Sequence, residues 1–259
     1  MITKIKETNE IIKHKNIDEA SNNFKDNLSN IFISKDSMYD NLINSFEEVK
    51  NQKFEHIDAW LLKTSKHFKT ENSILQKALY PRFEYGTIVK VDFGINVGSE
   101  LSGPHFAIVL DKFDSTKSNS ITVLPLTSQK KKHNLELNTL IIEEFTKRLT
   151  KALNVLKIEI NEILISKKDL ISETTKKQEE VKLLQDMINY YSNYAKNSYA
   201  SLNQITTISK NKIMRPKNKY DIVGRAKCNS KTMQIISKEI IKKYTNIKLY
   251  DTQNNEKKD

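Results

Sequence analysis

The segment 98–105, GSELSGPH, places a glutamate and a histidine, Glu100 and His105, in one short stretch of chain. Carboxylates and imidazoles are side chains that commonly transfer protons in enzymes. The whole chain has five glycines and four prolines, yet two of these glycines and one of these prolines lie in this segment. Glycine permits positive φ and proline fixes φ, so the segment predicts a loop of defined shape that leads into the apolar run FAIVL at 106–110.

Strand patterns surround this loop and predict the elements that position it. The run 86–94 alternates, with apolar residues on one face and Lys90 and Asp92 on the other, which predicts a half-buried strand. Further strands are predicted at 106–113, 120–128, 133–137 and 202–213. Five strands in so short a region indicate a compact, barrel-like sheet.

Two long stretches without glycine or proline, residues 1–80 and the region between Pro125 and Pro216, predict helices. Apolar residues recur at heptad-like spacing over 149–163 and again over 181–195, which predicts an antiparallel helical hairpin with a polar turn near 166–178. Its apolar stripes form either the hairpin's own seam, a short coiled coil, or a surface for a partner helix. After Asn229, a helix N-cap, an amphipathic helix is predicted to close the fold.

The predicted fold class is α+β, a small SH3-like, barrel-like antiparallel sheet with helical additions. Its predicted parts are a helical N-terminal extension (1–80), a β-body with a C-terminal helix (81–138 and 199–248), an inserted helical hairpin (139–198) and a disordered tail (249–259).

Composition narrows the function classes. The net charge is +11, of which residues 201–259 contribute +9. This concentration of positive charge near the C-terminal end favours a polyanionic partner, although a lysine-rich solvated surface explains a basic chain equally well. The single cysteine, Cys228, excludes an internal disulfide framework and a cysteine-built zinc site, and it suggests a reducing cytoplasm. No apolar run approaches the ~18 residues of a membrane span, and no signal-peptide pattern begins the chain.

Five segments in order resemble the MazF/PemK family of toxin endoribonucleases. They are VDFG (91–94), GSELSG (98–103) leading into FAIVL, PLTSQ (125–129), SLNQITTISKNKI (201–213) and the short C-terminal helix. The resemblance covers about residues 83–137 and 198–246.

The resemblance implies a metal-independent ribonuclease without cofactors, which dimerises and is inhibited by a cognate antitoxin. In such enzymes the 2′-hydroxyl of single-stranded RNA attacks the adjacent phosphate, and a 2′,3′-cyclic phosphate results. Glu100 and Thr127 match family positions, while His105-Phe106 replaces the family's usual Arg-Pro pair. A histidine titrates and can transfer a proton, whereas an arginine keeps a fixed charge. Glu100 as base and His105 as acid would form a workable pair. Structural roles are also open: His105 as a loop residue, Glu100 as a turn-capping carboxylate and Thr127 as an ordinary β-branched strand residue.

Other residues are assigned to RNA binding by their place in the family pattern or by their charge. For each of them, the alternative is that the side chain is structural or simply exposed to solvent. They are Ser128, Gln129, Lys130, Asn203, Gln204, Lys210, Lys212, Arg215 and Lys217.

Two other function classes stay open. The loss of arginine at position 105 is compatible with a catalytically dead or retargeted binding module that works through the hairpin. A gyrase poison of the CcdB type shares the fold, but it acts through a C-terminal tryptophan segment, and the only tryptophan here is Trp60.

Overall fold

The computed structural model describes residues 35–48, 54–73, 79–166 and 170–247. The chain divides into two compact units, Met1–Ile57 and Asp58–Asp259. Helix α1 (Lys35–Glu47) belongs to the first unit, and helix α2 (Ile57–Ser73) opens the second, which holds every predicted site residue. The predicted tail at 249–259 and the part of the N-terminal extension before residue 35 lie outside the described residues.

Six antiparallel strands form the sheet of the second unit. They are β1 (Ile88–Asp92), β2 (Pro104–Val109), β3 (Ser120–Thr127), β4 (Leu135–Glu136), β5 (Tyr199–Ala200) and β6 (Thr206–Ser209). Their order is β1-β2-β3-β5-β4, and β6 pairs with the first half of β3. Because β3 pairs with β6 at one end and β5 at the other, the late segment 199–209 completes a sheet that the earlier segment begins.

The sheet curls on itself, which makes it barrel-like. An isolated bridge joins Val91 of β1 to Ile213, just beyond β6, and the Met214 amide donates to the Lys90 carbonyl at 2.8 Å. The enclosed face buries an apolar cluster that includes Val89, Ala107 and Val123. The predicted α+β class with a small antiparallel sheet is confirmed.

Three helices cover the other face of the sheet. Helices α3 (Leu140–Ser166) and α4 (Leu170–Ser192) form the predicted hairpin, and α5 (Ser230–Tyr244) follows its Asn229 cap, whose side chain accepts from the Thr232 amide at 2.8 Å. None of the described helices is both long and apolar enough to cross a membrane.

The base of the hairpin packs on the sheet, which differs from the expectation that the two stripes mainly close on each other. Phe145, Met187 and Tyr191 share one buried cluster with Phe106 and Leu124 of the sheet. Further out, stripe residues are substantially exposed, among them Leu153 and Val181. The hairpin is therefore joined to the β-body by a common core, and the domain boundaries proposed from the sequence stay a prediction.

Two strand predictions need correction. The predicted strand at 202–213 is a 3-10 turn (Leu202–Gln204), the short strand β6 and a second 3-10 turn (Lys210–Lys212). Lys90 does not face solvent: it is 9% exposed, because the hairpin base covers the outer face of β1. The alternation of apolar and polar residues along β1 therefore corresponds to two buried faces. One face packs in the apolar cluster, and the other lies against tyrosine side chains.

Helix α2 reaches the end of β1. The loop between β1 and β2, residues 93–103, begins there and is called the glycine loop because it contains Gly94, Gly98 and Gly103. Its Lys63 forms an ion pair with Asp92, and its half-buried Trp60 lies against Gly94. Gly94 has a φ of +77°, and a Cβ there would overlap the indole ring. Glycine is thus required at this position both by conformation and by the close approach of Trp60.

Candidate active site

A cavity of about 230 Å³ opens where β2 begins and β3 ends. Both His105 and Thr127 line it, so the structure brings these two predicted site residues together. The opposite wall comes from the chain that follows α4, residues 193–198. The remaining lining residues are Pro104, Phe106, Leu126, Ser128 and Ile141.

His105 is tied to the backbone at both ring nitrogens. Its Nδ1 lies 3.3 Å from the Leu126 carbonyl oxygen, and its Nε2 lies 3.1 Å from the Ser102 carbonyl oxygen. A neutral imidazole has one N–H and can donate to only one of these oxygens, whereas an imidazolium can donate to both. The ring therefore links the glycine loop to β3. One ring nitrogen must leave its carbonyl oxygen before His105 can transfer a proton to substrate.

The pKa of His105 lies below its ordinary value. Burial is the main cause, because it disfavours the charged imidazolium. The two carbonyl contacts raise the pKa and so oppose this effect, while the positive charge of Lys90 lowers it further.

Thr127 and Ser128 line the cavity, and Gln129 and Lys130 follow them along the chain. Thr127 Oγ1 accepts from the Gln129 amide at 3.1 Å, which leaves its hydroxyl hydrogen available for another acceptor. The side chains of Ser128, Gln129 and Lys130 are exposed, and Lys130 has only a loose 3.8 Å ion pair with Glu136.

Glu100 lies apart from His105, in a second cavity of about 330 Å³ that also includes Asn203, Gln204 and Lys212. Leu101 lines this second cavity and Pro104 lines the first, so the loop segment 101–104 runs from one cavity to the other. The exposed Glu100 is presented by a loop that Gln204 holds: the Leu101 amide donates to Gln204 Oε1 at 2.9 Å, and Gln204 Nε2 donates to the Ser99 carbonyl at 3.1 Å. Both ends of the Gln204 amide are used, which gives this residue a positioning role.

We expect Gln204→Ala to loosen the glycine loop with little effect on global stability. Two hydrogen bonds at a partly exposed site are lost, each of which contributes about 0.5–1.5 kcal/mol. Hydrogen exchange of the Leu101 amide should therefore accelerate about 10-fold, while exchange at the β3 amide of Val123 should stay as in the wild type. Unchanged exchange at Leu101 would show that Gln204 does not hold the loop.

Among the basic residues assigned to RNA binding, Lys210 needs correction. Its side chain is fully buried, and its Nζ binds Asp114 Oδ1 at 2.7 Å and the carbonyl oxygens of Pro81 and Ser115 at 2.9 Å each. These three acceptors use all three ammonium hydrogens, so Lys210 cannot reach a phosphate. Lys212, Arg215 and Lys217 are exposed, as RNA contacts would require.

The sequence reasoning missed a group behind the first cavity. Tyr194 lines the cavity, and its hydroxyl accepts from the buried Lys90 at 2.9 Å. The tyrosines at 190, 191 and 194 are a sequence signal that could have identified it, because two phenols at i and i+4 share one face of a helix. The sequence analysis instead assigned the stripe over 181–195 to the seam of the hairpin or to a surface for a partner helix.

No three His, Cys, Asp or Glu side chains in the described part of the chain are grouped as a metal site would need.

Comparison with known protein families finds a match over part of the chain. Residues 84–182 match the family described as PemK-like, MazF-like toxin of type II toxin-antitoxin system. The matched range includes β1 to β4 with Glu100, His105 and Thr127, and it continues through α3 into α4. It therefore takes in most of the hairpin, which the sequence-based resemblance left out, and it ends before the segment 198–246, for which the resemblance stays a prediction. No curated protein matches the chain.

Proposed function

Because this chain carries a PemK-like, MazF-like toxin domain at residues 84–182, we propose that it is a toxin endoribonuclease that cleaves single-stranded RNA. The observation that carries the proposal is that the matched range contains Glu100, His105 and Thr127, and that the last two line one cavity. An enzyme that cleaves mRNA would act in the cytoplasm. The expected partners are a cognate antitoxin covering the RNA site and a second copy of the chain.

The proposed reaction transfers the phosphoryl group within the RNA. The 2′-oxygen bonds to phosphorus as its proton passes to Glu100, and the bond from phosphorus to the 5′-oxygen breaks. His105 gives a proton to that leaving oxygen, and the products are a 2′,3′-cyclic phosphate and a 5′-hydroxyl. Thr127 can donate its hydroxyl hydrogen to a non-bridging oxygen, where negative charge develops.

The separation of the two cavities sets a condition on this mechanism. Since Glu100 and His105 line different cavities, the RNA must cross the loop segment 101–104 for both side chains to reach one phosphate. The exposed Lys130, Lys212, Arg215 and Lys217 would then contact flanking phosphates, which positions RNA without reading its sequence.

A second candidate, an RNA-binding module without cleavage, is favoured by one specific observation. Both ring nitrogens of His105 contact backbone carbonyls, so this conformation offers no free ring nitrogen to a substrate. In this alternative the same surface binds RNA, and His105 only fixes the loop.

Incubation of the purified protein with single-stranded RNA in EDTA tests the proposal. We expect fragments that end in 2′,3′-cyclic phosphate, identified by mass spectrometry. Glu100→Gln should reduce cleavage, whereas Glu84→Gln, a matched change at an exposed carboxylate paired with Lys227, should not. Intact RNA with retained binding would favour the second candidate, and cleavage by all variants alike would indicate a contaminating nuclease.

A further inference from the structure

Lys90 is a buried cation whose side-chain hydrogen-bond partners, among the described residues, are phenols. Its Nζ donates to the hydroxyls of Tyr190 and Tyr194 and faces the rings of Tyr190, Tyr194 and Phe106 at 4.9, 5.2 and 5.4 Å from their centroids. Buried ammonium groups are normally paired with an anion. Across the described ranges, no carboxylate oxygen forms an ion pair with Lys90.

The carboxylate of the buried Asp221 accepts hydrogen bonds from groups other than Lys90. It accepts from the Tyr191 hydroxyl at 2.6 Å, from the Lys217 amide at 2.7 Å and from the Val223 amide at 3.0 Å. Asp221 therefore fixes Tyr191 and the loop before α5, and the positive charge of Lys90 is left for a different anion.

Tyr194 connects this charge to the cavity. Since Lys90 donates to Tyr194 Oη, the tyrosine's own hydrogen can be donated elsewhere, and its acceptor within the protein, Tyr190 Oη, is at a long 3.5 Å. Burial raises the pKa of the Tyr194 phenol, but the hydrogen bonds with Lys90 and Tyr190 and the charges of Lys90 and Lys217 outweigh it, so the pKa is lowered. Tyr194 is thus a stronger donor than an ordinary phenol.

The position of Tyr194 distinguishes it from its neighbour. Tyr194 lines the 230 Å³ cavity with His105 and Thr127, whereas Tyr190 and Lys90 do not. The cavity is several times the ~30 Å³ share of one water molecule, and Lys196 adds a second cation to its rim.

We propose that Tyr194 is a phosphate-binding residue of the RNA site, which donates its hydroxyl hydrogen to a non-bridging phosphodiester oxygen in the cavity while Lys90 supplies the compensating charge behind it. This inference rests on the proposed function, since it names a further contact of the same site. It also gives the inserted hairpin a role in substrate binding, because Tyr194 comes from the chain that directly follows α4.

Two matched variants test the proposal, because both phenols accept from Lys90 but only one lines the cavity. The probe is a short 2′-O-methyl RNA of random sequence, which has no free 2′-hydroxyl and cannot be cleaved by this chemistry. Tyr194→Phe should weaken probe binding about 10-fold or more, the scale of a hydrogen bond to a charged group. Tyr190→Phe should change it less than about 2-fold.

The salt dependence of binding adds a second readout. A neutral phenol releases no counterion, so Tyr194→Phe should keep the wild-type slope of log affinity against log salt. Equal losses in both tyrosine variants, an unchanged affinity in Tyr194→Phe or a flattened slope would each overturn the inference.

This experiment separates the inference from the proposed function. A wild-type protein that binds the probe through Tyr194 but leaves ordinary RNA intact would contradict the nuclease and keep the phosphate site. A protein that cleaves RNA, and whose Tyr194→Phe variant binds the probe as the wild type does, would keep the nuclease and remove the phosphate site.

Discussion

We expect His105→Ala to slow RNA cleavage by about 10²–10⁴-fold, the usual contribution of a general acid. The single-turnover rate on single-stranded RNA is the measurement. Alanine also removes the imidazole contacts that link the Ser102 and Leu126 carbonyls. A loss of rate in this variant alone therefore does not distinguish proton transfer from positioning of the loop.

His105→Arg makes that distinction. A guanidinium has enough donors for both carbonyls and a phosphate, and it keeps its charge at every accessible pH. If His105 is the acid, arginine should retain RNA affinity without restoring the rate. An arginine variant as fast as the wild type would instead show that position 105 works as an electrostatic clamp.

The dependence of the cleavage rate on pH also tests whether His105 is the general acid. A general acid must be protonated in the free enzyme, so kcat/KM should fall as pH rises through the pKa of His105, which burial holds below about 6.5. A bound phosphate favours the imidazolium, so the corresponding fall in kcat should come at higher pH. The arginine variant should lack this alkaline limb. A wild-type rate that stays flat from about pH 5 to 9, with chemistry rate-limiting, excludes proton transfer by His105.

The second large effect is on stability. Lys210→Met should lower the free energy of unfolding by about 3–5 kcal/mol, because removing one partner leaves a buried charge uncompensated. The Lys210 and Asp114 side chains are 0% and 1% exposed, and the pair joins the segment before β1 to the turn after β6. Denaturant unfolding measures this loss. Replacing Asp114 as well, with leucine, should recover part of it.

Lys212→Gln is the matched control at an exposed lysine two residues away. It should change unfolding by no more than about 0.5 kcal/mol and flatten the RNA salt slope by about 0.7. Lys210→Met should leave that slope unchanged. A Lys210→Met protein of wild-type stability and reduced slope would restore the RNA-binding role that the sequence suggested.

Acid should weaken the contribution of this pair. Burial raises the pKa of Asp114, but the bond from Lys210 and the amides of Phe83 and Ser115 outweigh it and lower the pKa. A carboxyl whose folded pKa is depressed stabilises the fold above its ordinary pKa, about 3.8, and loses this effect as pH falls through the folded value. In Lys210→Met the uncompensated burial of Asp114 raises the pKa of this carboxyl, so the variant regains stability as it is protonated. The difference in stability between the wild type and Lys210→Met should therefore shrink progressively on acidification, both above and below about pH 4.

Parts of the candidate site were predictable because their signals are local. Glu100, His105 and Thr127 stand out by residue type and by the loop and strand ends beside them, and His105 and Thr127 do share a cavity. The separation of Glu100 from His105 was not predictable. It depends on the path of residues 101–104 and on Gln204, which is more than 100 residues away along the chain.

The sequence by itself determined the α+β class, the first four strands along the chain, the two hairpin helices and the Asn229 cap. Periodicity, glycine and proline placement and capping all act over a few residues, so a linear pattern records them. Only the tertiary structure decided which lysines are available to RNA. Lys90, Lys210 and Lys212 are equally polar in sequence, but the hairpin base covers the first, Asp114 and two carbonyls enclose the second, and the third remains in solvent. The partner of a charge is set by chain segments distant in sequence, and for that reason no local pattern identifies it.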